Sequence, residues 1–161
     1  MRSSRRRPAL SSAGVVACLA LLAGCGGVDV DPPHPTGAAL ADCKALVADL
    51  PASVADQKRR AVSPAGALAA AWGDPAIVLR CGVRKPVGFG RASSCMVANG
   101  VGWYVPEDQM TTDPRDITMT AVGREAYVEV FLPADYLPPA TAMVDLADVV
   151  KRHVPQVHPC V

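Results

Sequence analysis

Residues 117–132, ITMTAVGREAYVEVFL, predict a β-hairpin around which the rest of the fold can be arranged. In the return strand, apolar residues alternate with polar or aromatic ones, which is the period-two pattern of a strand with one buried face. The apolar set is Val128, Val130 and Leu132, and it alternates with Tyr127, Glu129 and Phe131. Gly123-Arg124 supplies the turn.

Further strands are predicted upstream of this hairpin. Residues 95–98 and 101–105 flank Asn99-Gly100, a dipeptide typical of a two-residue hairpin turn. Residues 76–83, AIVLRCGV, form a run rich in β-branched and apolar residues. Residues 52–62 are ambiguous between a loop and an exposed edge strand.

Helical patterns flank the strands. Apolar residues recur at helical spacing in residues 38–50, and Ser63-Pro64, AGALAAAW and Gly73 predict a short helix with an N-cap, a first-turn proline and a glycine stop. Pro138-Pro139 opens a last helix, whose inner stripe is Met143, Leu146, Val150 and His153. The order of elements predicts a single α+β domain over residues 38–161, with an antiparallel sheet of four to five strands and helices packed on one face.

Four cysteines fall within this domain and predict two disulfides. Cys43, Cys81, Cys95 and Cys160 allow three pairings, and an even number in an exported domain favours oxidation. We favour Cys81–Cys95, which closes a short loop, and Cys43–Cys160, which joins the ends of the domain. A zinc site is disfavoured because the sequence has no C-x-x-C and no Cys/His cluster.

The first 24 residues have the zones of a secretory signal. Four arginines precede an uncharged run at residues 13–23, and Leu22-Ala23-Gly24-Cys25 resembles a lipobox. We therefore expect cleavage before Cys25, a lipid on its sulfur, and a location on the extracytoplasmic face of the cell membrane. Residues 25–37 are interpreted as the lipidated cysteine and a flexible tether, in which His34 is a solvated linker residue.

The charge balance argues against nucleic-acid binding. The chain has 16 basic and 15 acidic residues, and removing residues 1–24 leaves 12 basic against the same 15 acidic. Nucleic-acid-binding domains are usually strongly basic, whereas this mature chain is slightly acidic. The sequence also contains no G-x-S-x-G, H-E-x-x-H or phosphate-binding glycine loop, and we predict no metal and no cofactor.

Candidates for catalysis are few. His153 is interpreted as a packed or capping residue and His158 as part of the tail. Asp74 and Arg80 are expected to pair with each other or to cap backbone groups. The carboxylates of residues 107–116 lack the ligand order of a calcium loop and indicate a solvated loop; they are Glu107, Asp108, Asp113 and Asp116. We therefore expect that the protein is not an enzyme. The alternative is a small extracytoplasmic hydrolase or transferase with an unrecognised active site.

A candidate binding loop lies between the two middle cysteines. Residues 82–94, GVRKPVGFGRASS, contain Arg84, Lys85 and Arg91, no acidic residue, and Phe89 between two glycines. Cations beside an exposed apolar group can mark a recognition surface. The hypothesis is a binding or scaffold module whose loop contacts an anionic envelope component, namely a phospholipid headgroup, an acidic glycan or a protein partner. The alternatives are a basic surface loop with Phe89 folded onto the core, or a purely structural subunit.

Several of these segments resemble one family. Residues 71–83, AWGDPAIVLRCGV, are the most specific, together with Asn99-Gly100-Val101, Trp103, Gly123-Arg124, residues 127–130 and Pro133. Over residues 40–161 the chain resembles the domain of unknown function 3515 family, which consists of small secreted or membrane-attached actinobacterial proteins. The resemblance implies an envelope location and carries no activity or catalytic residue.

Overall fold

The structure, a computed structural model, describes residues 27–160, so the predicted signal peptide and the lipid site at Cys25 lie outside the described residues. The two α-helices of this part of the chain are α1 (Gly37–Ala48) and α2 (Ala140–His153), and two short 3-10 helices span Glu107–Gln109 and Ala134–Tyr136. Its strands are β1 (Val28–Asp29), β2 (Ser53–Val54), β3 (Gln57–Arg60), β4 (Val62–Ser63), β5 (Ala69–Trp72), β6 (Ile77–Val83), β7 (Met96–Ala98), β8 (Val101–Tyr104), β9 (Ile117–Ala121) and β10 (Tyr127–Leu132).

Eight of these strands form one antiparallel sheet in the order β2-β3-β5-β6-β10-β9-β8-β7. The α+β class is confirmed, but the sheet is larger than the four to five strands predicted. Both predicted hairpins are present, with Asn99 and Gly100 at positive φ as their two-residue turn requires. The additional strands are β2 and β3, from the ambiguous segment at 52–62, and β5.

β5 replaces the helix predicted for residues 63–73. Ala69–Trp72 pairs along its whole length with β6, and all four residues are buried. The helix preference of alanine is weak, and long-range pairing with a neighbouring strand overrides it. Gly73, the predicted helix stop, lies instead just after β5, with φ at +74°.

The inward residues of the central strands form a core together with both helices. The fully buried residues of β6 and β10 are Ile77, Leu79, Cys81, Val128, Val130 and Leu132. They belong to one apolar cluster with Cys43 and Leu46 of α1 and with Met143 and Leu146 of α2. α1 and α2 also contact each other.

The disulfides join different partners from those predicted. Cys43 bonds Cys81, with Cα atoms 5.4 Å apart, and Cys95 bonds Cys160, with Cα atoms 6.2 Å apart. The pairs Cys81–Cys95 and Cys43–Cys160 are therefore wrong, although all four cysteines are oxidised. Cys81 is an inward residue of β6, the strand against which α1 packs, so it meets Cys43 in the core. The C-terminal residues pass Gly102 of β8, where the absence of a side chain leaves room for Cys160.

Residues 27–36, called the strap below, lie against the domain, so the prediction of a flexible tether is wrong for this segment. β1 pairs in parallel with β4. The backbone N–H of Val28 donates to the carbonyl of Ala61, and that of Val30 to the carbonyl of Ser63, each at 2.9 Å.

The far end of the strap contacts β6 at Gly82. A Cβ atom added there would lie 2.7 Å from Cβ and 2.9 Å from Cδ of Pro35, so this approach requires glycine. Between the two ends, residues 29–31 share a hollow with Val78 and Phe131 on the outward face of the sheet. The strap therefore passes over the outward side of β6 between Val78 and Gly82 and covers part of the face opposite the helices.

Candidate functional site

A cleft of about 560 Å³ lies between the strap and the beginning of the candidate binding loop. It brings together ionisable side chains from three separate parts of the chain. The strap contributes Asp31 and His34, the loop contributes Arg84 and Lys85, and the sheet contributes Arg80 and Glu129.

An ion pair between neighbouring strands forms the floor of the cleft. Arg80 and Glu129 lie opposite each other on β6 and β10, and their side chains are 32% and 21% exposed. The Arg80 Nε donates to Glu129 Oε1 at 3.0 Å, and the Nη2 group donates to the same oxygen. The charge of Arg80 is therefore balanced within the protein.

The Asp74–Arg80 pair considered from the sequence does not form. Asp74 Oδ1 lies 3.3 Å from Arg60 Nη1 of β3. Asp74 precedes β6, whereas Arg80 lies towards the other end of that strand, so strand geometry separates the two side chains.

The rim of the cleft carries two cations, Arg84 and Lys85, and one carboxylate, that of Asp31. Arg84 and Lys85 are exposed, and within residues 27–160 neither has a carboxylate oxygen within 4.0 Å. The Lys85 Nζ lies 5.6 Å from the centre of the Phe89 ring, a cation–π contact that steadies the side chain without neutralising it. Both cations can therefore approach an anionic group in the cleft.

The remaining two residues of the predicted loop lie elsewhere. Phe89 is half-buried against Tyr104, with ring centres 5.1 Å apart, which is the packing that the alternative interpretation expected. Arg91 lines a separate hollow with Glu107 and Asp108. The structure thus divides the predicted loop into a cleft-facing part, Arg84 and Lys85, and a part that packs on β8 or faces acidic residues.

Sequence reasoning missed three parts of the cleft: the Arg80–Glu129 floor, Asp31 and His34. Strand alternation places Arg80 and Glu129 on outward faces, but their pairing requires knowing that β6 and β10 are neighbours. Because the strap has no periodic pattern, the sequence alone predicts that His34 is a solvated linker residue. The strap's proline run gives no signal of where it docks.

His153, interpreted from the sequence as a packed or capping residue, joins the ends of the two helices. Its Nε2 lies 2.8 Å from Asp49 Oδ2, and the Nε and Nη2 groups of Arg152 donate to the same oxygen at 3.2 and 2.8 Å. The hydrogen bond with His153, followed by that with Arg152, holds the pKa of Asp49 below its ordinary value of 3.8. This arrangement agrees with the packed or capping role predicted for His153.

The carboxylate-rich segment at residues 107–116 forms an exposed loop beside a second cavity. This cavity of about 580 Å³ is lined by apolar side chains including Met96, Val105 and Ile117, with Asp113 and Arg115 also present. Asp116 accepts a backbone hydrogen bond from Ala134 at 3.0 Å, so it fixes the loop to the end of β10. Across residues 27–160 no group of three or more His, Cys, Asp or Glu side chains is placed to hold a metal ion.

The fold and cleft define a small disulfide-bonded α+β domain that presents cations beside its own N-terminal segment. The family model described as protein of unknown function (DUF3515) matches residues 9–159, and the chain belongs to that family. No curated protein and no solved structure matches the chain. None of the helices in the described part of the chain is long and apolar enough to cross a membrane.

Proposed function

We propose that the protein is a lipoprotein of the cell envelope, anchored through Cys25, that binds an anionic envelope component in the cleft. The anchor is supported by the signal-like residues 1–24 and the lipobox-like sequence before Cys25. Two or more acyl chains on that cysteine hold a protein stably on a membrane. The binding role is non-enzymatic and is supported by the chemistry of the cleft.

The observation that carries the binding role is the contrast between the floor and the rim. Arg80 is neutralised by Glu129, whereas Arg84 and Lys85 have no carboxylate oxygen within 4.0 Å among the described residues. Asp31 supplies the one other carboxylate that lines the cleft, so the cations outnumber the remaining acids there. A guanidinium can make two parallel hydrogen bonds to a phosphate or a carboxylate, and a nearby ammonium adds a point charge. The cleft therefore suits a ligand with an exposed anionic group, either an acidic glycan or an acidic segment of a protein.

Photo-crosslinking from inside the cleft tests this proposal. Val87 lines both the cleft and the neighbouring hollow that contains Arg91, and it is 94% exposed, so a photoreactive residue there should leave the fold intact. Irradiating cells that carry this protein should capture a specific envelope species. Arg84→Ala with Lys85→Ala should abolish the capture, and thermal stability should stay nearly unchanged because both side chains are exposed.

Arg91→Ala is the matched control, since it removes the same kind of charge from the same loop outside the cleft. Capture should survive this change. The proposal would be wrong if the double variant captured the envelope species as well as the unsubstituted protein does. It would also be wrong if Arg91→Ala abolished capture as completely as the double variant, because the cleft cations would then not recognise the ligand.

A further inference from the structure

The strap ends very close to the proposed lipid site. Its first described residue, Gly27, follows Cys25 by two positions, and Val28 is already hydrogen-bonded to Ala61. Three residue steps span at most about 11 Å, whereas a fully extended twelve-residue tether would span up to about 43 Å. A lipid on Cys25 would therefore be held close to one particular end of the domain.

We propose that the docked strap seats the domain directly on the membrane, with residues 58–60 of β3 at the lipid headgroups and the cation-bearing end of the cleft facing away. This inference rests on the proposed lipidation of Cys25. Val28 pairs with Val62 of β4, and Arg60 precedes Val62 by two residues. The distance from Cys25 to Arg60 is bounded by the three residue steps to Val28, the spacing between paired strands and the two residue steps from Val62. Arg60 therefore lies within roughly 20 Å of Cys25.

The exposed groups near this end fit a headgroup layer. Lys58 is exposed, Arg59 donates to the carbonyls of Leu50 and Val47, and Arg60 is paired with Asp74. The exposed carboxylate of Asp29 offsets part of this positive charge. The short covalent connection, rather than a strong electrostatic attraction, therefore determines which surface meets the membrane.

The cleft begins at the middle of the strap, where Asp31 lines it, and extends away from Cys25 towards the loop that carries Arg84. Residues 29–31 share a hollow with Val78 and with the Arg80–Glu129 pair, whereas Pro35 lies further along β6, against Gly82. A seven-residue strand rises about 20 Å, and the loop carrying Arg84 continues beyond it. An anionic ligand in the cleft would then come from the layer outside the membrane and not from the phospholipid headgroups of the supporting bilayer.

Lysine labelling measures this orientation directly. The chain has four lysines, Lys44, Lys58, Lys85 and Lys151, and all are exposed. The lipidated protein would be reconstituted into vesicles of phosphatidylcholine and phosphatidylglycerol, treated with an amine-acetylating reagent and compared with the same protein in detergent by mass spectrometry. Labelling of Lys58 should fall several-fold in vesicles, whereas labelling of Lys85 should stay unchanged.

Gly82→Ala provides the test of the strap itself. Displacing Pro35 from Gly82 should allow the domain to change its orientation relative to the membrane. Lys58 labelling should then rise to its value in detergent, while the protein still floats with the vesicles. Gly66→Ala is the matched control, because Gly66 also has a positive φ, of +79°, but an added Cβ there meets nothing within 4 Å. This control should keep Lys58 protected.

The outcomes separate the two proposals. Protein that lacks a lipid and does not float with vesicles would refute the lipoprotein proposal. Lipidated, floating protein in which Lys58 and Lys85 are labelled equally, or in which Lys85 is the protected residue, would overturn the orientation alone.

Discussion

Adding one methyl group at Gly82 should detach the strap while leaving the rest of the domain folded. The new Cβ would lie 2.7 Å from Cβ of Pro35, too close for an ordinary contact, and it belongs to the backbone and cannot rotate away. The strap has to move instead, because β6 is fixed on both sides by β5 and β10.

The expected cost has two parts. Gly82 has φ of +86°, and a left-handed conformation costs an L-residue about 1–2 kcal/mol. Detaching the strap also breaks the hydrogen bonds from Val28 and Val30, worth about 0.5–1.5 kcal/mol each. Gly82→Ala should therefore lower the free energy of unfolding by about 2–5 kcal/mol, whereas Gly66→Ala, with only the first cost, should lower it by about 1–2 kcal/mol.

Denaturant unfolding of both variants measures these free energies, and hydrogen exchange locates the change. The amides of Val28 and Val30 should lose protection in Gly82→Ala and keep it in Gly66→Ala. Equal destabilisation by the two substitutions, with both amides still protected in Gly82→Ala, would mean that Pro35 does not hold the strap in place.

Three other predictions concern the domain itself. Replacing Cys43 and Cys81 by alanine should lower the free energy of unfolding, measured with denaturant, by about 4 kcal/mol, the value that the chain-entropy model gives for a disulfide between residues 38 positions apart. A non-reducing peptide map in which Cys43 is bonded to another cysteine would contradict the pairing. Leu79→Ala, at a fully buried core position, should lower the free energy of unfolding by about 2–5 kcal/mol, and a loss below that range would argue against its central packing. Because His153 and then Arg152 lower the pKa of Asp49, its ionised form stabilises the fold above pH 3.8 and this contribution is lost as the pH falls through the lowered pKa. Asp49→Asn should therefore reduce stability at neutral pH and make the acid side of a stability–pH curve shallower, and parallel curves would rule out this linkage.

The parts of the fold that local patterns determine could be predicted from the sequence. The alternation in β10, the Asn99-Gly100 turn and the apolar stripe of α2 each express a backbone geometry within a few residues. Elements that depend on distant partners could not be predicted in the same way. β5 is a strand because β6 lies beside it, and the cysteine pairing follows from which element covers which strand.

The candidate site shows the same division. Arg84 and Lys85 were found because a cluster of cations without acidic residues is visible in the sequence. Arg80 and Glu129 required the strand order, and His34 required the docking of a proline-rich segment that has no periodicity. The surrounding structure also removes Phe89 from the predicted surface by packing it on Tyr104.

Mass spectrometry of the protein purified from its native envelope tests the central claim most directly. The account predicts a mature chain that begins at Cys25, carries acyl chains on that residue, and contains no free thiol among the four later cysteines. An N-terminal peptide that retains residues before Cys25, or a Cys25 without lipid, would contradict the anchoring from which both the function and the orientation are argued.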